Sequence, residues 1–177
     1  MNIFQNISIG SNDVPLDTNI ILLIMIRWNS FERRDFLRNM LRNKSNLKHH
    51  FKIVFVFNWH PDATDKELLR LNHENEKHKD ILLPMIQDNY HNQVLLILAG
   101  FEWIYNLNLE NLKSIVKMND DFIVNMTMLD EKVESLSSEN QICYYMYVMK
   151  IQLIGILIQN GKKILKLNLD EIGLYPS

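Results

Sequence analysis

The feature that most constrains this chain is a rhythm of short apolar segments, the first of them a continuous run, Ile-Ile-Leu-Leu-Ile-Met-Ile at 20–26. A run of this length with no polar alternation suits a strand buried on both faces, so the sheet it joins must be covered on both sides. Phe-Lys-Ile-Val-Phe-Val-Phe-Asn at 51–58 reads as a second strand, and the segments at 80–86 and 112–118 as a third and a fourth. Pro84 interrupts the third segment and predicts an edge or a strand end there. Between the runs lie helical patterns. Ser30 is placed to N-cap a helix carrying Phe31, Phe36, Leu37, Met40 and Leu41 at helical spacing. A polar helix follows Pro61, and 92–107 reads as a mostly buried helix. Strands alternating with helices predict an α/β fold, a mostly parallel sheet with helices on both faces. After Ser138 the alternation stops, and 141–158 followed by 161–169 reads as antiparallel strands.

Length and charge narrow the function. A chain of 177 residues suits one domain. At 47% hydrophobic and 23% charged it has enough apolar surface to fold. A net charge of -2 gives no electrostatic case for nucleic acid or an anionic membrane surface. Cys143 stands alone, which excludes an internal disulfide framework and a thiolate metal cluster. No signal peptide is evident, the apolar run at 19–26 is far short of the ~20 residues of a membrane span, and the longer run near the end is split by Lys150 and Gln152. The expectation is a soluble chain. Gly100, Gly155, Gly161 and Gly173 are isolated, so no phosphate-binding glycine loop exists, and there is no G-x-S-x-G elbow. The histidines share no zinc-ligand spacing. Three sequons, at Asn6, Asn43 and Asn125, are too few in so asparagine-rich a chain to prove a secretory route. Asn125 is expected to lie in packed structure and to carry no glycan.

The chemistry gathers at Asp120 and Asp121, which follow the fourth run directly. Adjacent carboxylates repel and are costly to bury unless paired or metal-bound. Either the strand has ended in a solvated turn, or a cation is expected. In open α/β sheets ligands sit beyond the carboxyl ends of strands, and the acids fall at such an end, on a strand expected to be central. Two oxygen-rich side chains suit magnesium or manganese, whose remaining ligands are commonly substrate phosphates. Arg34 and Arg38, one helical turn apart, can face a diphosphate together; the alternative is a basic solvent face shared with Arg33 and Arg42. Asp88 reads as an N-cap, Phe101 and Trp103 as core, and Glu131 and Glu134 as solvated helix-face acids.

Several segments, in order, resemble one family. Lys117-Met-Asn-Asp-Asp-Phe-Ile-Val-Asn125 is similar to the K-x-D-D-D-v-F-v-N segment of the β-1,3-galactosyltransferase and N-acetylglucosaminyltransferase family, glycosyltransferase family 31. Residues 21–41 resemble its first strand and R-x-x-I-R-x-T-W helix, with Arg34, Leu37 and Arg38 in register. Glu74 and Asp80 match E-S-x-x-y-x-D-I-l; Asp88, Tyr90, Asn92 and Trp103 match the next block; Leu174-Tyr-Pro-Ser177 resembles the start of yPpYcsGxgYvls. The resemblance covers roughly 20–177, leaving 1–19 as an amino-terminal extension.

It implies a GT-A type, Rossmann-like fold, incomplete at the carboxyl end, and an inverting hexosyltransferase forming β-1,3 linkages from a UDP-sugar to a glycan acceptor on glycoprotein or glycolipid. Asp121, with Asp120, would hold a divalent metal, manganese by resemblance, while Arg34, Arg38, Lys117, Asn119 and Asp120 would contact the nucleotide. The implied setting is the lumenal face of the Golgi membrane, reached through an anchor this chain lacks. Asn119 replaces the first acid of the triplet, Leu96 replaces a lysine, and Met40-Leu41 replace T-W. The family's catalytic base lies beyond the yPpY block, so no catalytic base is identified and the chain alone is expected to be inactive. The alternative is a non-catalytic remnant of the same fold, inert or kept as a binding partner.

Overall fold

The computed structural model describes residues 14–42, 46–58, 60–84, 86 and 92–135, and the backbone of two short strands at 157–159 and 162–164. Eight elements alternate: β1 (Ile20–Met25), α1 (Phe31–Arg42), β2 (Phe51–Val56), α2 (Asp65–His78), β3 (Ile81–Leu82), α3 (Gln93–Asn106), β4 (Ser114–Asn119) and α4 (Met126–Ser135). The first four strands form one parallel sheet in the order β3-β2-β1-β4. β5 (Leu157–Gln159) and β6 (Lys162–Ile164) pair antiparallel, as the change of pattern after Ser138 predicts.

β1 is central, which is why its run is unbroken. Ile20 to Ile24 are fully buried, because even and odd side chains enter different cores. Ile20, Leu22 and Ile24 join Phe31, Leu37 and Leu41 of α1, Leu71 of α2, and Met126 and Val133 of α4. Ile21 and Leu23 join Leu96, Phe101, Trp103 and Ile104 of α3. One face therefore carries α1, α2 and α4, and the other carries α3. Phe101 and Trp103 are core, as their apolar setting predicts.

Two expectations change. β4 is not central: within the described sheet it borders β1, and the acids follow a border strand. The chain steps outward from β1 to β2 to β3, then crosses by α3 to the vacant side of β1. Residues 53–57 and 114–118 accordingly flank β1 on its two sides. In α1 the buried stripe is Phe31, Arg34, Leu37, Arg38 and Leu41, whereas Phe36 is half exposed beneath the Arg33 guanidinium. The stripe keeps helical spacing, but two of its five members are arginines.

Candidate functional site

β1 and β4 are hydrogen-bonded neighbours whose connections leave in opposite directions along the sheet, so a topological switch point falls between them. Ligand crevices in open α/β sheets form outside the carboxyl ends of the strands at such points. A cleft of about 590 Å³ lies there, within the size range of small-molecule sites. Its walls are Met25 at the end of β1 and Ile26 to Asn29 after it, Phe57, Asn58 and His60 after β2, Gln93, Leu96 and Ile97 of α3, and Lys117, Asn119, Asp120 and Asp121 at the end of β4.

Asp120 and Asp121 form the turn that ends β4. The Asp120 N–H donates to the Met25 carbonyl at 3.1 Å, carrying the β1–β4 pairing one step past the strand. The Asp120 carbonyl accepts from Arg33 Nε at 2.9 Å and also from Arg33 Nη2. Both backbone groups of Asp120 are thus tied down. Asp121 is exposed and Asp120 partly so, which is how two adjacent carboxylates are accommodated: the strand has ended, and they lie on a cleft wall.

Lys117 is buried, and its Nζ donates to Asn119 Oδ1 at 2.8 Å. Burial lowers its pKa, and the negative charge of Asp121 works against that shift. Lys117 occupies one acceptor position of Asn119 Oδ1, and the amide N–H groups of Asn119 can donate to a ligand. Among the described residues, no three His, Cys, Asp or Glu side chains gather as a metal cluster. Two carboxylates in an open cleft suit a hard cation that takes its other oxygens from phosphate and water.

The structure does not bring Arg34 and Arg38 to this cleft, nor does it leave them on a solvent face. Arg34 is fully buried and donates from Nε and Nη2 to the Glu74 carboxylate at 2.8 and 2.7 Å. Arg38 is bidentate to Asp80, at 2.9 and 2.8 Å, and also reaches Glu74 at 2.7 Å and Asp35 at 2.8 Å. Burial would lower the Arg38 pKa, but hydrogen bonds and charge from Asp80 and Glu74 raise it instead. Burial likewise would raise Glu74, yet Arg34 and Arg38 hold it below the ordinary carboxylate range. Four residues noted in the sequence as separate motif positions therefore meet as one ion network. It supports the cleft indirectly, because Arg34 Nη1 donates to the Arg27 and Trp28 carbonyls, at 3.1 and 3.0 Å, in the loop lining it.

Sequence reasoning missed three features. Arg33, grouped with surface arginines, holds the acid turn. Trp28 and His60, from separate loops, stack with ring centroids 5.6 Å apart at 29°. His49, read only as lacking zinc spacing, is buried with Nδ1 2.7 Å from Asp130 Oδ1, while Asp130 also accepts the Lys48 and His49 N–H groups. Only fold-level contacts could have revealed any of them, since their partners lie 32 to 87 residues away. Asn125 is exposed rather than packed; its Oδ1 accepts from the Thr127 and Met128 N–H groups at the start of α4. Glu131 and Glu134 are exposed, as expected. Asp88, Tyr90, Cys143, Asn6 and Asn43 lie outside the described residues.

No curated protein matches the chain significantly. A family model described as galactosyltransferase matches residues 32–175, most of the chain, from the first turn of α1 to beyond β6. With a parallel, Rossmann-like sheet as the GT-A fold requires and an acid turn in its switch-point cleft, the chain belongs to the galactosyltransferase family and is a glycosyltransferase domain.

Proposed function

We propose that this domain is a divalent-metal-dependent hexosyltransferase, moving a sugar from a UDP-sugar to a glycan acceptor with inversion and a β-1,3 linkage. The observation that carries the proposal is the meeting, in one cleft at the switch point, of the Asp120–Asp121 turn and the buried Lys117. Asp121, with Asp120, would hold the cation, and manganese suits the oxygen donors. When bound, it would supply Lewis-acid neutralisation of charge on the departing diphosphate. Lys117 adds a cation beside the same phosphates, and the Asn119 amide can donate to a ribose hydroxyl. Arg34 and Arg38 belong to the scaffold in this scheme. Family membership supports a lumenal Golgi setting, and the start of β1 at Ile20 supports a catalytic domain beginning near residue 20.

Calorimetric titration of UDP with and without manganese tests the proposal. Manganese should strengthen UDP binding; Asp121→Ala should abolish that increment, and Glu131→Ala should leave it intact. Equal UDP affinity with and without metal in the wild-type chain would refute the metal site.

A further inference from the structure

We propose that Trp28 and His60 form the platform on which the base of the nucleotide donor stacks, an inference that rests on the nucleotide reading above. Both rings line the cleft and both are only half buried, so the stacked pair presents part of its surface to a ligand. Aromatic rings that serve packing alone lie buried in the core, as Phe101 and Trp103 do.

Each ring is set before any ligand arrives. Trp28 sits in the loop whose carbonyls accept from the buried Arg34 guanidinium. His60 Nδ1 accepts the Asp62 N–H at 3.2 Å, and the His60 carbonyl accepts the Ala63 N–H at 3.2 Å. An N–H directed at Nδ1 makes that nitrogen the acceptor, so the ring carries its hydrogen on Nε2, where it can donate to a carbonyl oxygen on the edge of a base. Two loops separated by a whole strand–helix unit are thereby fixed so that their aromatic groups meet.

The position suits an extended nucleotide. His60 follows β2, Trp28 follows β1, and the acids follow β4, in the spatial order β2-β1-β4. Two inter-strand spacings separate the β2 and β4 ends, about 10 Å. A base on the aromatic pair would leave its diphosphate toward Lys117 and the acid turn. Flat aromatic surfaces accept any base by stacking, and each stacked base contributes enough that alanine substitution weakens binding about 5- to 150-fold.

The experiment uses the 177-residue chain, with UMP, UDP with and without manganese, and methyl β-galactoside as probes, read by calorimetry and tryptophan fluorescence. UMP should quench the fluorescence. Trp28→Phe should lose the quench yet keep UDP affinity close to wild type, because an aromatic face remains. Trp28→Ala and His60→Ala should weaken UDP by the range above while keeping the wild-type ratio of affinities with and without manganese. That ratio is the property Asp121→Ala removes. Circular dichroism checks that each variant folds; if Trp28→Ala does not, His60→Ala and Trp28→Phe decide. Wild-type UDP affinity in His60→Ala and in folded Trp28→Ala overturns the platform and leaves the nucleotide reading standing. Failure of the wild-type chain to bind UMP or UDP overturns both. A response of Trp28 to methyl β-galactoside but not to UMP overturns the base assignment in favour of the sugar.

Discussion

Arginine at 34 and 38 illustrates how a side chain's role is decided by what folds back onto it. The i, i+4 spacing is legible in the sequence; the partners are not, because Glu74 and Asp80 lie 36 to 42 residues downstream. Twenty-one carboxylates were available, and only packing α1 against α2 and β3 selects these two. The network makes Arg38 a stability residue. Arg38→Ala would take the bidentate guanidinium away from the fully buried Asp80 carboxylate and should cost about 3–5 kcal/mol in chemical denaturation. Arg38→Lys should recover little of that, since an ammonium cannot replace a fork bidentate to Asp80. Glu74 adds a pH signature. Its folded pKa lies below the ordinary 4.5, so its stabilising contribution is fully present above that value and is lost as pH falls through the folded pKa. The difference in melting temperature between wild type and Glu74→Gln should therefore be largest near neutrality and shrink on acidification; a difference that grows at low pH would contradict the sign.

At the scale of elements, the strands were legible because burial on both faces erases alternation, and β1 shows this most fully. The unbroken run of β1 marks it as buried on both faces, but the position of β4 in the sheet was not legible, because it follows from the route of the α3 crossover. The buried stripe of α1 was half legible for a related reason: a hydrophobicity pattern assigns arginine to water, and here two arginines occupy the core-facing positions. The candidate site was legible in its acids, Asp120 and Asp121, because two adjacent carboxylates directly after an apolar segment mark the end of a strand, where clefts of open α/β sheets form. Its aromatic wall was not, because Trp28 and His60 belong to loops with no periodicity to read. α3 offers a test of how closely the opposite layer approaches. A Cβ at Gly100 would fall 2.8 Å from Leu23 Cδ2, inside any normal contact, and Leu23 has no solvent-facing route of escape. Gly100→Val should destabilise the domain by about 1–3 kcal/mol through overpacking, with no helix-propensity gain large enough to offset it. Unchanged thermal stability would mean that α3 can lift from the sheet freely.

For the whole molecule, the switch point joins scaffold and site: β1 supplies the core, the floor of the cleft through Met25, and the carbonyl that fixes Asp120. A ligand bound there contacts loops from three strands and should stabilise the folded state as a unit. Ligand present at about one hundred times its dissociation constant adds ~2.7 kcal/mol. For a domain of this size, each kcal/mol raises the melting temperature by about 2–4 °C, so UDP with manganese should raise it by ~5–10 °C. UDP alone should give a smaller shift at the same concentration, because the diphosphate would then face Asp120 and Asp121 without a cation between them. Asp121→Ala should reduce the metal-plus-UDP shift to that of UDP alone. Arg33→Ala should lower it as well, by freeing the Asp120 carbonyl and loosening the turn, while leaving the unliganded melting temperature nearly unchanged. An Arg33→Ala chain that lost stability without ligand, yet kept the full ligand shift, would mean that Arg33 braces α1 rather than the acid turn.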